Sequence, residues 1–362
     1  MPFPEAAHMR RALRLARRGL GRTSPNPAVG AVLVRAGKIV GAGYHKRAGL
    51  PHAEVEAIRA AGPAARGADL YVTLEPCAHA GRTGPCTEAI LAAGIRRVAA
   101  ATEDPNPLVS GKGFAALRAA GIRVAAGLLE REAREFNAPY CRWIVSGRPH
   151  VTLKLAMSLD GQVAARAGSS RWISGPKARA IVHRMRSAAD AVLVGGETFR
   201  RDDPLLTARV PGGKDPTRVI LTSRPGAFAG SRIARGGASN VIIVAPRGVP
   251  AREAERARAL GARVLLLPAR GGRIGAAALL RALGREGIVS LLVEGGGRTA
   301  GWLLGEDAVD RFVFFVAPLL LGDGVRAFGG FSVRRVADGR GLVVRSVRRV
   351  GPDLMVTAER GE

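Results

Sequence analysis

The chain has 362 residues, of which 47% are hydrophobic, and a formal net charge of +27. That length accommodates two domains of ordinary size, each with its own core. Arginines interrupt every apolar run before it reaches the roughly 20 residues that a membrane-spanning helix needs. The N-terminal segment also lacks the uninterrupted apolar core of a secretory signal. We therefore expect a soluble, cytoplasmic protein with two domains and no membrane partner.

The positive charge raises the question of nucleic-acid binding, because basic surfaces neutralise phosphates. Of the 56 basic residues, 50 are arginines and 6 are lysines, and the arginines are scattered through both halves of the chain. Aromatic residues, which would stack on bases in a single-strand groove, make up only 4%. The pattern favours a compositional bias, and we expect no nucleic-acid partner.

Helix and strand signals alternate along the first part of the chain, which predicts helices packed about a mixed sheet. The predicted elements are helix 5–19, a hairpin of strands 31–37 and 38–45, helix 52–61, strand 68–77, helix 87–93, strand 96–102, helix 111–120 and strand 122–127. Gly147 and Pro149 interrupt the pattern, so we place the domain boundary there, with domains at 1–147 and 148–362.

The second part alternates again and predicts a second α/β domain that ends in extended segments. Its predicted elements are strand 151–159, helix 176–188, strands 190–195, 217–223 and 240–246, helix 251–260, strand 262–268, helix 274–286, strand 288–297, helix 298–304 and a strand-rich tail from 310.

Three residues have the side chains of a zinc site. His52 stands at the head of a predicted helix, Cys77 follows a predicted strand, and Cys86 opens the next helix. Three protein ligands leave the fourth tetrahedral position for water, as in catalytic zinc sites. Glu54, two residues beyond His52, is then placed to move a proton between that water and a leaving group.

Each piece also has an ordinary interpretation. A histidine at a helix start is often a surface or cap residue, and cysteines in a cytoplasmic protein are often simply buried. An odd, small number of cysteines (Cys77, Cys86 and Cys141) argues against a disulfide framework and for reduced thiols. Together, however, "HAE" and the two "PC" pairs match the zinc-deaminase signature, except that eight residues instead of two separate the cysteines.

That longer loop, "CAHAGRTGPC", resembles the deaminase domain of the bifunctional riboflavin biosynthesis deaminase/reductases, as do "SPNPAVGAVLV", "GYHKRAG", "YVTLEPC" and "DPNP". The resemblance implies a cytidine-deaminase-like three-layer domain that hydrolytically deaminates 2,5-diamino-6-(ribosylamino)pyrimidinone 5′-phosphate. It suggests Asn26 as a ring or ribose contact and His79, Arg82 and Thr83 as ribose or phosphate contacts. Alternatively, Asn26 only shapes its turn and Arg82 is solvated. Cys141, remote from the cluster in sequence, is expected to be structural.

In the second domain, "LLVEGGGRTAGWLL" predicts a strand, a triple glycine and a helix, an arrangement whose bare backbone and helix N-terminus can receive a phosphate. Gly295, Gly297 and Ala300 fit G-x-G-x-x-A, but no convincing acidic partner follows about 20 residues later, so the Rossmann fingerprint is weak.

The same stretch, with "SSRWISG" and "GGETFRRDDPLLTAR", resembles the reductase half of that family. The resemblance implies a dihydrofolate-reductase-like fold that uses NADPH to reduce the ribosyl group to ribityl, giving 5-amino-6-(ribitylamino)uracil 5′-phosphate. The positions implied for NADPH are Ala156, Trp172, Thr198, Asp202, Ser223, Gly296, Gly297, Arg298, Thr299, Ala300, Gly301 and Trp302. The positions implied for the substrate are Ser170, Arg186, Leu206, Arg209 and Glu294.

Chemistry suggests roles for some of these residues. Arg186 and Arg209 suit a substrate phosphate, because guanidinium groups bind it in a bidentate manner, and Glu294 can accept hydrogen bonds from sugar hydroxyls. Lys154 either assists proton handling or, like most strand lysines, is solvated. The resemblance also implies a homodimer.

Two rival hypotheses remain. One is a nucleic-acid adenosine or cytosine deaminase with an unrelated partner domain, which the eight-residue spacing and the second domain oppose. The other makes the second domain a regulatory nucleotide-binding module without catalysis.

Overall fold

The computed structural model describes residues 5–78 and 84–361. The chain divides into two compact units, residues 1–147 and 148–362. No helix among the described residues combines the length and the apolar character required to cross a membrane.

In the first unit the described residues form five strands and six helices. The strands are β1 (Gly30–Arg35), β2 (Lys38–Tyr44), β3 (Asp69–Val72), β4 (Arg97–Ala100) and β5 (Arg123–Ala126). The helices are α1 (Ala6–Ala16), α2 (Ala53–Ala61), α3 (Cys86–Ala92), α4 (Lys112–Ala119), α5 (Glu130–Phe136) and α6 (Ala138–Ser146).

These strands form one sheet in the order β2-β1-β3-β4-β5. The β1 strand runs antiparallel to β2 and β3, and β3, β4 and β5 are parallel to one another. One face carries side chains of alternate strand residues such as Leu33 and Leu70, packed against α2, α3, α4 and α6. The other face, with Val32 and Tyr71, packs against α1 and α5. The unit is therefore a three-layer sandwich about a mixed sheet, as predicted.

The second unit contains strands and helices in a similar alternation. Its strands are β6 (His150–Ser158), β7 (Gln162–Ala164), β8 (Ala191–Gly195), β9 (Thr217–Leu221), β10 (Val241–Pro246), β11 (Arg263–Leu267), β12 (Ala269–Arg270), β13 (Arg273–Ile274), β14 (Ser290–Val293), β15 (Arg311–Ala317), β16 (Val325–Arg326), β17 (Leu342–Val350) and β18 (Asp353–Arg360). Its helices are α7 (Pro176–Ala188), α8 (Gly196–Asp202), α9 (Arg232–Arg235), α10 (Ala251–Ala259), α11 (Ala276–Arg285) and α12 (Gly297–Gly305).

Nine of these strands form a sheet in the order β11-β10-β9-β8-β14-β6-β15-β18-β17 within the described part of the unit. The strands from β11 to β15 are parallel, and β18 and β17 extend the sheet as an antiparallel hairpin. A large core between the sheet and the α11 and α12 helices includes Leu153, Leu279 and Leu303. Smaller cores lie under α10 and α7. Because parallel strands end at a common edge, the segments after β8, β9 and β14 lie together.

The structure differs from the sequence prediction at a few elements. The α5, α6, α8 and α9 helices and the short strands β7, β12 and β13 were not predicted. The strands predicted over 68–77 and 288–297 end at Val72 and Val293. Thr73 to Cys77 instead form an irregular segment after β3. The Thr73 N–H still donates to the Gly30 carbonyl at the start of β1, but the Glu75 N–H donates to the Thr102 carbonyl beyond β4, and the Cys77 carbonyl accepts from the Thr87 N–H of α3.

Candidate active sites

His52 is held in place by close packing of α2 on β2. It is the residue that immediately precedes α2, and its carbonyl accepts from the Glu56 N–H at 3.1 Å. Gly43 on β2 makes this packing possible: a Cβ there would lie 2.6 Å from the Ala57 nitrogen and 2.7 Å from the Ala53 oxygen. The helix start that carries His52 is thus fixed against the sheet.

Cys77 is positioned by the buried carboxylate of Glu75. That carboxylate accepts from three backbone N–H groups, of Asp104 at 3.1 Å, Gly111 at 3.0 Å and Phe114 at 3.1 Å. Gly113, in the first turn of α4, packs so closely that a Cβ would lie 1.9 Å from the Pro76 oxygen. These contacts tie the segment that follows β3 to the start of α4.

Cys86 completes the cluster as the first residue of α3. The His52 Nδ1 lies 3.1 Å from the Cys86 Sγ and 3.6 Å from the Cys77 Sγ. All three ligand atoms lie within 4.8 Å of one another. In a tetrahedral site with Zn–S of about 2.3 Å and Zn–N of about 2.0 Å, nitrogen and sulfur ligands lie roughly 3.5 Å apart. The residues therefore fit a zinc ion.

The electrostatics favour a thiolate at this cluster. A hydrogen bond from Cys86 lowers the pKa of the Cys77 thiol to about 4, although burial opposes the shift. The backbone N–H of Cys86 also donates to the Cys77 Sγ at 3.4 Å. The hydrogen bond to Cys77, together with burial, raises the pKa of Cys86. Zinc removes the proton from a coordinating thiol, so both sulfurs are suitable ligands.

Glu54 lies in the first turn of α2 and is only 3% exposed. Burial raises the pKa of its carboxyl to about 7, against the opposing effect of its own backbone N–H. A carboxyl with a pKa near neutrality can both accept and return a proton, which is the property that a proton carrier requires.

Asn26 is linked to the cluster by a second histidine, His45, which contacts both Asn26 and His52. Its Nδ2 is 3.3 Å from the Nε2 of His45, and the ring of His45 stands edge-on to that of His52 with centroids 5.2 Å apart. The side chain of Asn137 pairs with both backbone groups of Ala28 at 3.0 Å, which anchors the turn. Predicted contacts at His79, Arg82 and Thr83 lie outside the described residues, and Cys141 lies on α6, outside the cluster.

The sequence reasoning missed two buried polar residues of this region, His45 and Asp104. His45 is 2% exposed, and burial lowers the pKa of its imidazole. Asp104 accepts from the Tyr140 hydroxyl at 3.0 Å, and burial raises the pKa of the Asp104 carboxyl. His45 lies within "GYHKRAG" and Asp104 within "DPNP", two of the segments that resemble the family. Their position inside these segments could have identified them as candidate site residues.

In the second unit, the glycine segment after β14 meets the start of α8. The Gly296 N–H donates to the Thr198 Oγ1 at 3.1 Å, so two of the residues assigned to NADPH lie in contact. The Thr299 side chain fills the space beside Gly195 and Gly295, where an added Cβ would lie 2.4 Å from its Oγ1 and 2.6 Å from its Cβ, respectively.

Packing within the second unit explains why two residues of this segment are glycines, and the sequence alone did not reveal this reason. A Cβ on Gly297 would lie 2.0 Å from the Arg326 oxygen, and one on Gly301 would lie 2.3 Å from the Gly329 oxygen. Both positions must be glycine so that α12 can pack against the segment 326–329. Their assignment to NADPH stays a prediction.

The other residues assigned to NADPH and the substrate lie around the same sheet edge or on its flanking loops. Trp172 is 70% exposed, and the guanidinium of Arg179 stacks 4.4 Å from its ring. The Asp202 carbonyl accepts from the Arg171 side chain at 2.7 Å. Ala156 and Ser170 are partly exposed, and Ser223 is exposed at the end of β9.

Arg186 and Glu294, both assigned to the substrate, bind each other. Arg186 donates through Nε at 2.5 Å and Nη2 at 2.9 Å to the two carboxylate oxygens, and through Nη1 to the Thr207 carbonyl at 3.0 Å. Much of the guanidinium that we expected to bind phosphate is therefore engaged within the protein, and its phosphate contact stays a prediction.

Leu206 and Arg209 flank this pair on an irregular segment. The Leu206 side chain is buried in the core at 2% exposure, so only its backbone is available to a substrate. Both residues have positive φ values, +57° and +51°. Residues other than glycine adopt this region at a cost, and such strain concentrates at functional sites.

Comparisons with known proteins agree with this division of the chain. The RibD C-terminal domain family matches residues 149–356. The cytidine and deoxycytidylate deaminase zinc-binding region family matches residues 4–102. A riboflavin biosynthesis protein RibD from Aquifex aeolicus is 44% identical over 354 residues, covering 98% of each chain.

Solved structures give the same result. RibD from Acinetobacter baumannii superposes with a TM-score of 0.89 at 36% identity and covers 99% of each chain. The diaminohydroxyphosphoribosylaminopyrimidine deaminase/5-amino-6-(5-phosphoribosylamino)uracil reductase from Thermotoga maritima superposes with a TM-score of 0.86 at 36% identity, with 98% of each chain covered. The expected cytidine-deaminase-like and dihydrofolate-reductase-like domains are thereby confirmed.

Proposed function

The chain belongs to the RibD family of bifunctional riboflavin biosynthesis enzymes, and from that premise we propose how its residues perform the two reactions. Family membership makes it a zinc-dependent deaminase and a reductase that acts on small molecules. The first unit deaminates 2,5-diamino-6-(ribosylamino)pyrimidinone 5′-phosphate. The second reduces the ribosyl group of the product to ribityl, giving 5-amino-6-(ribitylamino)uracil 5′-phosphate.

The observation that carries the deaminase assignment is the cluster of His52, Cys77 and Cys86 beside the buried Glu54. These three side chains would hold one zinc ion. Zinc bound there supplies a water nucleophile at neutral pH by lowering the pKa of the water. Glu54 would carry one proton of the attacking water to the departing amine, which leaves as ammonia. The other proton would remain on the ring nitrogen as the ring carbon becomes a carbonyl.

Asn26 orients the nucleotide through its side-chain amide. It lies on a turn that Asn137 anchors through both backbone groups of Ala28. His79, Arg82 and Thr83 remain proposed contacts to ribose or phosphate, by family resemblance.

In the second unit, the contact between Thr198 and Gly296 supports a cofactor site at the edge where β8, β9 and β14 end. The residues proposed to hold NADPH are Ala156, Trp172, Thr198, Asp202, Ser223, Gly296, Gly297, Arg298, Thr299, Ala300, Gly301 and Trp302. NADPH supplies the reducing equivalent, and the protein aligns the cofactor with the acceptor carbon.

Glu294 holds the ribosyl hydroxyls, and Arg186 keeps its carboxylate in one orientation. Lys154 on β6 lies within the electrostatic field of both residues, and burial lowers the pKa of its ammonium group. This environment supports proton handling by Lys154 rather than the solvated alternative. Ser170, Leu206 and Arg209 complete the proposed substrate contacts, and Arg209 is free of carboxylate partners in the described chain and suits the phosphate.

We also propose a homodimer, which the exposed β17 strand supports. Val344 and Val347 are 57% and 60% exposed on a strand that has a sheet neighbour on one side only, among the described residues. The strand also carries Arg345, Arg348 and Arg349, but its unpaired edge leaves backbone groups available for pairing with a second copy of the chain. The cytoplasm is the proposed compartment, because the three cysteines are free thiols.

One experiment tests both activities. The diaminopyrimidine nucleotide is supplied to the zinc-loaded protein with and without NADPH, and the products are followed by mass. We expect loss of ammonia alone without the cofactor and an additional gain of two hydrogens with it. Absence of the first change would refute the deaminase assignment. Absence of NADPH oxidation with deaminated substrate would leave the second unit as a nucleotide-binding module.

A further inference from the structure

His45 is a buried polar residue to which the catalytic scheme gives no task. Its ring lies between two parts of the deaminase site. On one side, Nδ1 is 3.1 Å from the Pro51 carbonyl oxygen, next to His52 in the chain. On the other side, Nε2 is 3.3 Å from the Nδ2 of Asn26.

These two contacts determine where the proton of the imidazole lies. A carbonyl oxygen only accepts, so the Nδ1 of His45 must donate to Pro51. The neutral ring then has its lone pair at Nε2, which accepts from the amide N–H of Asn26. The amide cannot rotate by 180°, because its oxygen would then face the lone pair of Nε2.

The backbone makes this arrangement rigid. The His45 N–H donates to the Val29 carbonyl at 2.9 Å, and Asn137 pairs with Ala28. Gly19 packs so closely that a Cβ there would lie 2.6 Å from the His45 oxygen. These backbone contacts fix the position of the His45 ring and of the turn that bears Asn26.

We propose that His45 is a positioning residue that orients the Asn26 amide so that its Oδ1 is presented to the substrate as a hydrogen-bond acceptor. Oδ1 has no hydrogen-bond partner in residues 5–78 and 84–361. The part of the substrate that meets Asn26 must therefore be a donor, a ribose hydroxyl or a ring amino group. This inference rests on the proposed deaminase function.

Two substitutions separate the contacts of His45. In His45→Gln, the side-chain amide of glutamine reaches the position that Nε2 of His45 occupies. The amide oxygen can there accept a hydrogen bond from the Asn26 side chain. His45→Asn leaves an amide at the place of Nδ1, where it can still donate to Pro51 but cannot reach Asn26. With the full-length, zinc-loaded protein and the diaminopyrimidine nucleotide, we expect His45→Asn to raise KM about tenfold, the effect of losing one oriented hydrogen bond. His45→Gln should keep KM within about threefold of the unsubstituted protein, and kcat and zinc content should change little in either variant.

The coupling to Asn26 is tested in a double-mutant cycle. In an Asn26→Ala background, His45→Asn should raise KM no further, because the group that it orients is gone. His8→Asn on α1 serves as the matched histidine control. Denaturant unfolding of the same preparations reports whether the first unit is folded, and reductase turnover reports the same for the second unit. Additive effects on KM, or a loss of zinc in His45→Asn, would overturn the proposal in favour of a purely structural role.

A second readout does not depend on turnover. The nitrogen chemical shifts of His45 should show a protonated Nδ1 and an unprotonated Nε2 in the unsubstituted protein, and the opposite tautomer would refute the orientation argued here. If the unsubstituted protein released no ammonia at all, the proposed function would fail while this measurement still decided the arrangement of His45 and Asn26.

Discussion

The guanidinium of Arg186 binds the carboxylate of Glu294 through two hydrogen bonds, of 2.5 and 2.9 Å, across 108 residues of chain. Their side chains are only 13% and 10% exposed. The pair joins α7 to the end of β14, at the edge of the sheet where we propose that the ribosyl group is reduced. The pair is therefore a structural contact within the proposed substrate site.

Removal of one partner should destabilise the second unit. Glu294→Ala leaves the largely buried charge of Arg186 without its carboxylate, which costs about 3–5 kcal/mol in comparable buried pairs. Denaturant unfolding of the full chain measures the change in free energy. Glu286→Ala removes the partner of Arg263 at a more exposed pair and should cost less than about 1 kcal/mol. Equal losses of unfolding free energy in Glu294→Ala and Glu286→Ala would show that the buried pair contributes no more than the exposed one.

The same pair predicts a pH dependence of stability. Burial alone would raise the pKa of Glu294, but the hydrogen bonds and charge of Arg186 outweigh it and lower the pKa below 4.5. A carboxyl with a lowered pKa in the folded state contributes stability that is present above pH 4.5 and is lost as the pH falls through the folded value. Melting of the second unit should thus shift downward on acidification below that point, and Glu294→Gln should reduce the slope. If the pH dependence of melting were unchanged in Glu294→Gln, the pair of Arg186 and Glu294 would not be its source.

Glu54→Gln should separate metal binding from proton transfer. The amide keeps the shape of the side chain but cannot carry the proton, so we expect ammonia release to fall by roughly 10²–10⁴-fold while zinc content stays at the normal level. Metal analysis and an ammonia assay measure the two quantities on one preparation. NADPH-dependent reduction of deaminated substrate should be unaffected, and undiminished deamination would remove Glu54 from the mechanism.

The cysteines should differ in their effect on zinc. Cys77→Ser and Cys86→Ser each replace a ligand sulfur and should lower the bound zinc and the deaminase rate. Cys141→Ser on α6 is the matched control and should leave both near the normal level, because Cys141 lies outside the cluster. Unchanged metal content in either of the first two variants would exclude that residue as a ligand.

The proposed dimer should depend on the exposed face of β17. Val347→Glu places a charge beside the exposed Val344 on β17 and should shift the protein towards monomer, as measured by sedimentation or light scattering. Val336→Glu is the matched control, because Val336 is 98% exposed outside the strand. A dimer that survives Val347→Glu would place the interface elsewhere.

Much of the architecture was predictable from local patterns. The β1 and β2 hairpin, the α7 helix and the ligand set of His52, Cys77 and Cys86 all followed from residue types and spacings. The α8 helix was missed because its seven residues begin with a glycine and carry little apolar periodicity. The packing role of Gly297 was missed because the backbone that requires a glycine there, at Arg326, is distant in the sequence. Its assignment to NADPH stays a prediction.

The sequence by itself determined which chemical groups are present and which local elements carry them: an imidazole and two thiols, a carboxylate two residues from the imidazole, and a glycine-rich turn before a helix. Only the tertiary structure decided how these groups engage one another. Packing between distant segments buries Glu54 and thereby raises its pKa, and it brings Arg186 to Glu294. It also forms the hydrogen bonds that link Pro51, His45 and Asn26. Residue types and periodicity are local properties, whereas burial and hydrogen-bond geometry arise only when the sheet brings those segments together.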